Sequence, residues 1–552
     1  MWLVLAVLAL SAIAGVGGSE AAFAEAILDV TRPEALTADV LAEFQRLVEW
    51  RRQKPGKEQV GMGVTTNATL MALVDALASS FPGLPSPSLD PDDQEEGTGR
   101  KIGVVVVGAG PVGLLSALQL RQHSATHVLW PIVVLERRTE YTRDAWLDVS
   151  DNTWYKSLDR LQQWGGTLFA SADPHVSSAT NIIYRTNMLE RLLARIAVLA
   201  GGIDLRYGVE PVRILGDDEH GQEDGRSTMT IKRHNDSSTT LLSFDIVVGC
   251  EGGSGSWVRE QANMTTHVHT SAVFETATAG SVKVTKSRLQ QTTVIVRYRA
   301  NAATQECPTL KNNGDVDPYD ITFSHPNISA AFKRWYRGHC QLQLIVRHGY
   351  GEQLLEHADR LPWDMLLSVS NALLAHPFRD EANLRAQVLD AYIVPVRIKS
   401  TRPLAQALGG RGSRHRSVAV VFGDNAVTAH YRLGIGINQA LLALDELRLL
   451  LEDAAAAAAA SDASPDRVVD VALRQHERAS KRVRSMAQYQ LRTIVLEAYC
   501  GFVMGVNFTE PSLWQSQRVF RANRSPPGSF QEIGRASGGA WGDQVLACLR
   551  DV

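Results

Sequence analysis

The pattern of apolar and polar positions changes character along the chain. Between residues 27 and 81, apolar residues recur at helical spacing. Val40, Leu41, Phe44, Leu47 and Val48 form one set, and Leu70, Leu73, Val74 and Leu77 form another, so this stretch is predicted to be helical. From Lys101 onward the apolar residues come in unbroken runs. Val104 to Val107, Ile132 to Leu135, Ile246 to Val248 and Val418 to Phe422 show no alternation, which predicts parallel strands buried on both faces. Between 270 and 400 the pattern alternates. Thr292-Thr-Val-Ile-Val-Arg-Tyr-Arg299 and Cys340-Gln-Leu-Gln-Leu-Ile-Val-Arg347 predict half-buried strands of a separate sheet. Helical periodicity returns after Asn438.

Two segments interrupt these patterns. The Pro-, Gly- and acid-rich stretch from Pro82 to Gly99 reads as a linker. The run from Ala454 to Ala460 extends a helix, which Ser461 to Pro465 then breaks at a surface loop. The leading Met1 to Val16 is apolar, with no charge before Glu20, and Ala22-Phe23-Ala24 offers small residues at a cleavage site. Residues 1–24 are therefore expected to be a signal peptide, and the protein to enter the secretory pathway, as a resident of the ER lumen or a secreted protein. The alternative is an uncleaved N-terminal anchor, which would confine membrane association to this segment.

Composition narrows the function classes. The chain has 552 residues, 45% hydrophobic and 21% charged, which suits a folded protein rather than a disordered one. A formal net charge of −3 argues against a dedicated nucleic-acid binder. Five cysteines are too few for a disulfide scaffold. Cys307 with Cys340 and Cys500 with Cys548 are candidate pairs that leave Cys250 over, but all five are equally readable as thiols. No metal-ligand pattern is present, since His267 and His269 form an isolated pair.

The chemistry-bearing residues follow the linker. Gly108, Gly110 and Gly113 make G-x-G-x-x-G between an apolar strand and the helical Leu114, Leu115, Leu118 and Leu120. The next strand ends in Glu136, 23 residues beyond Gly113. Gly108 permits a tight turn, Gly110 lets a diphosphate approach the backbone, and Gly113 lets helix and strand pack closely. The helix N-terminus offers free N–H groups to phosphate. Glu136 can accept hydrogen bonds from both ribose hydroxyls, which favours an unphosphorylated ribose and fits FAD or NAD.

Two later segments choose between them. Phe244 to Arg259 runs a strand into a glycine-rich loop carrying Glu251 and Gly252. Val418 to Asp445 runs a strand into Gly423-Asp424, then His430-Tyr-Arg-Leu-Gly434-Ile-Gly436-Ile-Asn438 and a helix. Together the three motifs resemble the group A, para-hydroxybenzoate hydroxylase-like FAD monooxygenases, over about residues 101–450. That resemblance implies an α/β fold: a Rossmann-like FAD-binding domain split over 101–265 and 400–450, an interleaved β-sheet substrate domain over 266–399, a helical extension and linker over 25–100, and a helical C-terminal region over 451–552.

The resemblance also implies roles. Gly108, Gly110, Gly113 and Glu136 would hold the ADP half of FAD. Asp424 would bind the ribityl and diphosphate region, and the backbone from Gly434 through Gly436 and Ile437 to Asn438 would face the pyrimidine end of the flavin. Arg185 sits where the family often has an arginine touching FAD. The stretch from Leu135 through Arg137 to Arg143-Asp144 is similar to a signature of the MICAL flavin monooxygenase domain, which adds Arg137 and Arg143 to the cofactor set. That likeness is partial, because Asp144 replaces an asparagine, and MICAL's actin substrate is not carried over.

Other residues depart from the family pattern. Glu251 stands where the family has aspartate, Ser256 and Arg259 are each shifted by one position, and Tyr431 stands where proline is usual. These departures bear on the pyridine-nucleotide step more than on FAD binding.

The implied activity is an NAD(P)H-dependent monooxygenase that uses molecular oxygen to insert one oxygen atom through a flavin C4a-hydroperoxide. The substrate would be a small molecule or a protein side chain. Tyr431, Arg432 and His430 are the candidate catalytic residues. His430 reads equally well as a proton donor or a structural histidine. An FAD-binding reductase, oxidase or non-catalytic module of the same fold is the alternative.

Overall fold

The structure is a computed structural model. It describes residues 102–477 apart from 124–131, 144, 151–174, 179–180, 201, 216–225, 235–237, 253–254, 270, 279–280, 289–290, 302, 305, 310–325, 337–338, 347, 358–359, 397, 410–416, 429–434, 460–466, 468 and 475. The expected signal peptide, the 25–100 extension and linker, and the sequence beyond 477 lie outside the described residues.

The described chain divides into two compact units. One holds the residues up to His267, then Ser400–Thr428 and the segment from Ile435 to Glu477; the other holds Val268–Lys399.

The first unit is built on a six-stranded sheet. Its order is Ala405–Leu408, Ser417–Val421, Ile246–Gly249, Val104–Val107, Ile132–Glu136 and Ile203–Tyr207. The pairings are parallel except at the Ala405–Leu408 edge, which runs antiparallel to its neighbour. The unbroken valine runs now have their physical explanation. Val104, Val106, Ile132, Val134, Ile246, Val248, Val418 and Val420 pack with helix residues such as Leu114, Leu118, Leu192 and Leu444. Their neighbours Val105, Val107, Val133, Leu135, Val247, Ala419 and Val421 pack on the opposite face with Val209, Met229, Ile231 and Phe244. The last four belong to an antiparallel layer of Val209–Ile214, Ser227–Arg233 and Thr239–Phe244, or to its edge residues. Both faces of the sheet are dry along the four central strands, so the valine runs from 104 to 107, 132 to 135, 246 to 248 and 418 to 421 carry no polar position.

Three helices matter for the site. Pro111–His123 follows the first strand and begins with proline, whose missing N–H costs nothing at a first helical position. Thr186–Ala200 buries Leu189, Leu192, Leu193 and Ile196 along one stripe. Ile435–Ala459 buries Leu444, Leu447, Leu450, Leu451, Ala454 and Ala457. This helix runs through residue 450, where the FAD domain was expected to end. The first part of the expected C-terminal region therefore packs in the first unit's core, with Val469 and Ala472. The polyalanine run contributes to that core as well as to helix length, and the helix ends at Ala459.

The second unit contains an antiparallel sheet ordered Ile328–Tyr336, His339–Val346, Gln291–Tyr298 and Val388–Val396. Its core gathers Val294, Val296, Leu342, Leu344, Leu366, Val369 and Leu384. Cys307 and Cys340 are disulfide-bonded with Cα atoms 5.3 Å apart, and Cys250 is a free, buried thiol. The half-buried reading of the second strand needs correction. His339–Val346 is an inner strand, and Gln341 and Gln343 are buried along with Leu342 and Leu344. Trp363 packs against this core under the Arg385 guanidinium, 4.3 Å from the ring centre, while Tyr392 is exposed.

Candidate functional site

A cavity of about 570 Å³ opens beside the first strand–helix turn, entirely within the first unit. It falls within the roughly 300–1,000 Å³ of small-molecule sites. Chain segments far apart in sequence line it: the Gly108–Val112 turn, Leu135–Arg138, Cys250–Gly252, and Phe422–Asp424 with Ile437.

The glycine turn is set by close packing. Gly108 has φ +96°, and a Cβ there would lie 2.7 Å from the Cys250 carbonyl oxygen. Its N–H donates to the Leu135 carbonyl at 2.8 Å, and the Cys250 N–H donates to Val107 at 2.8 Å, so the turn is stapled to both neighbouring strands. A Cβ on Gly113 would fall 1.8 Å from the Gly108 carbonyl oxygen. Gly110 is different: the one atom near its Cβ position is Glu190 Oε1, at 3.7 Å. It presents bare backbone to the cavity at the start of the Pro111–His123 helix.

Glu136 ends its strand 5% exposed, and its carboxylate is already engaged. Oε2 accepts from the Ala109 N–H at 2.9 Å and from Arg138 Nη2 at 3.1 Å. Oε1 accepts from the Arg138 N–H at 2.9 Å and from Arg138 Nε at 3.0 Å. The guanidinium that grips Glu136 thus belongs to Arg138. Arg137, the residue singled out from sequence, is exposed at the cavity wall.

Arg138 also reaches Glu190 Oε1 at 3.3 Å and lies 5.4 Å from the centre of the Tyr141 ring. Burial acts to lower the guanidinium's pKa, but Glu136 and Glu190 outweigh it and hold the group above its ordinary range. Tyr141 accepts a hydrogen bond from the Tyr207 hydroxyl at 3.3 Å, and burial first, then Tyr207, raises its pKa. Glu190, from the Thr186–Ala200 helix, is 1% exposed, and burial pushes its carboxyl up to about 7 against the pull of Arg138. Neither Arg138 nor Glu190 was identified from sequence.

The other expected residues are placed as follows. Arg143 is exposed at the cavity wall, and its carbonyl accepts from the Asn187 N–H at 3.0 Å. Arg185 ends the strand before the Thr186–Ala200 helix and does not line the cavity. Glu251 and Gly252 do line it. The Glu251 carboxylate accepts from Ser256 Oγ at 2.9 Å, the Val258 N–H at 3.1 Å and Asn425 Nδ2 at 2.6 Å. It therefore ties the short Trp257–Gln261 helix to the Gly423–Asn425 turn, and burial raises its pKa against these hydrogen bonds. Asp424 faces the cavity. Burial raises its pKa and the charge of Arg143 opposes the rise. Cys250 is pushed up to about 12 by burial, with its Sγ 3.9 Å from Ser116 Oγ, so it is a packing thiol rather than a nucleophile.

Ile437 lines the cavity from the helix Ile435–Ala459, whose backbone also carries Gly436 and Asn438. Gly434 and the three candidate catalytic residues His430, Tyr431 and Arg432 lie outside the described residues.

No family model matches the chain. Over 153 residues, 27% of the chain, it is 25% identical to the [F-actin]-monooxygenase mical2b of Danio rerio, and the matched stretch is 8% of that protein's length. Among solved structures, it is similar to p-nitrophenol 4-monooxygenase PnpA from Pseudomonas putida, at 14% identity over 82% of this chain and 97% of the other, with a TM-score of 0.45. It is similar to aklavinone-11 hydroxylase in complex with FAD and aklavinone, at 16% identity over 73% and 69%, with a TM-score of 0.45. It is also similar to the flavin-dependent halogenase CmlS, at 13% identity over 82% and 77%, with a TM-score of 0.49. The likeness in sequence is thus to a monooxygenase, over a small part of that protein's length.

Proposed function

We propose that this protein is an FAD-dependent oxidoreductase, and specifically a monooxygenase. The observation that carries the reading is the convergence of three separated glycine motifs, at 108–113, 250–252 and 423–424, on one cavity. Local features agree with a bound dinucleotide. Gly110 leaves bare backbone at a helix N-terminus, where a diphosphate gains N–H donors and a favourable dipole. Arg138 and Arg143 add positive charge at the same wall. Glu136 and Arg138 would meet the adenosine ribose, and Asp424 and Ile437 the ribityl and flavin end.

The chemistry that FAD supplies here is electron transfer from NAD(P)H, followed by use of molecular oxygen to oxygenate a substrate, which would be a small molecule or a protein side chain. The protein's part is to bind, orient and exclude water. His430, Tyr431 and Arg432 are assigned to the flavin ring and its protons. We place the protein in the secretory pathway on the basis of its apolar leader, and the Cys307–Cys340 disulfide suits that oxidising compartment.

The test is direct. The purified protein should carry flavin absorption bands, and NADPH or NADH should bleach them under nitrogen. An absence of bound flavin would remove the assignment. Flavin that neither nucleotide reduces would replace it with the oxidase or non-catalytic alternative.

A further inference from the structure

Glu190 is a buried acid on the wall of the dinucleotide cavity that the reading above leaves without a task. Its side chain is 1% exposed. Oε1 accepts from Arg138, and Oε2 is buried with no hydrogen-bond partner among the described residues. The charged and titratable groups that act on it are Arg138 and Arg143, which favour its anion, and Glu136 and the Tyr141 phenol, the first of which opposes it.

Its position relative to the diphosphate is the decisive point. Oε1 lies 3.7 Å from where a side chain on Gly110 would begin, and Gly110 is the bare backbone at the start of the Pro111–His123 helix. A diphosphate seated on that helix N-terminus stands beside Glu190. An ionised carboxylate there repels it, whereas a neutral carboxylic acid does not.

We propose that Glu190 stands beside the bound diphosphate as the neutral acid. It takes one proton from solvent as the dinucleotide binds, and that proton, held on the carboxyl, removes the negative charge that would repel the diphosphate. The inference rests on the FAD reading. The group is poised for this, because burial already holds it near 7 in the free protein and a neighbouring anion pushes it higher. The sign follows. Below about pH 6 the acid is already protonated, so affinity does not depend on pH. Above about 7 the proton must be taken up, and affinity falls as pH rises until the bound-state value is passed.

The test uses the full chain stripped of flavin and titrated with FAD by fluorescence from pH 5.5 to 8.5, as wild type and as Glu190→Gln. Wild-type Kd should be constant at the acid end and rise by about tenfold per unit above pH 7. The glutamine variant is neutral without titrating, so its Kd should stay at the wild-type acid limit throughout. Calorimetry of the wild type at pH 8 in buffers of different ionisation enthalpy should read uptake approaching one proton, and this measurement stands even if the variant fails to fold.

Several results overturn the proposal: a pH-independent wild-type Kd without proton uptake; a slope that persists in Glu190→Gln, which would assign it to Asp424 or Glu251; or weaker binding by the variant at every pH. A protein that binds no flavin at any pH removes the FAD reading along with this inference, whereas pH-independent binding removes only the inference.

Discussion

The three glycines of the turn should separate into two classes when each is replaced by alanine. At Gly113 the new Cβ would sit 1.8 Å from the Gly108 carbonyl oxygen, so something must move by about 1.2 Å to reach the 3.0 Å that real Cβ contacts respect. The atom in the way is backbone, and it is held in place: the Gly108 N–H is bonded to Leu135, and the next strand's Cys250 is bonded to Val107. Overpacking of this kind costs about 1–3 kcal/mol and more where backbone must shift, so Gly113→Ala should lose about 3 kcal/mol. Gly108→Ala adds a left-handed backbone, at about 1–2 kcal/mol, to a 2.7 Å contact with the Cys250 carbonyl, and should lose as much. Gly110→Ala meets nothing closer than 3.7 Å, so its stability should stay within about 0.5 kcal/mol of wild type. Its methyl instead occupies the face offered to the diphosphate, and FAD affinity should fall by about tenfold or more, which is roughly 1.4 kcal/mol. Urea denaturation of the flavin-free proteins reads the first effect as a lower midpoint, and flavin fluorescence titration reads the second. A Gly113→Ala protein with an unchanged midpoint, or a Gly110→Ala protein as destabilised as Gly113→Ala, would refute the steric reasoning.

Other parts of the structure make their own predictions. Removing the amide of Asn425 leaves the Glu251 carboxylate one donor short, so Asn425→Ala should lose about 1–3 kcal/mol by urea denaturation. Glu190 should make the flavin-free protein pH-sensitive. Its folded pKa of about 7 lies above the ordinary 4.5 of a glutamate, so its contribution is most favourable below 4.5 and is lost as pH rises through 7. Thermal melts should show the stability of Glu190→Gln rising relative to wild type across that window, and a constant difference would count against the assignment. Replacing both Cys307 and Cys340 by serine removes a crosslink across 33 residues and should cost about 2–4 kcal/mol in chemical denaturation. Tyr298→Phe removes the buried 2.7 Å bond to Ser370 and should cost about 1 kcal/mol in the same assay.

What the sequence disclosed, and what it hid, follows from how local each constraint is. The turn from Gly108 to Gly113 was legible because its constraint spans six residues: a left-handed corner, a bare face and a close approach each demand glycine at a fixed offset. The valine runs were legible because a sheet covered on both sides leaves no polar position to read. Tertiary neighbours carry no such signature. Gln341 and Gln343 alternate with leucines as a wet face would, yet they are buried, because the burial comes from chain that no local pattern announces. Arg137 and Arg138 are indistinguishable in sequence, and which of them returns to Glu136 depends on how the backbone leaves the strand. Glu190 looks like a solvent-facing charge between the apolar positions of its helix, yet it is buried at the cavity wall, where Arg138, 52 residues away, meets it. The steric half of the candidate site can therefore be read from spacing alone. Its electrostatic half, the Glu136–Arg138–Glu190 chain, exists only once the fold has brought a strand end and a helix to one wall.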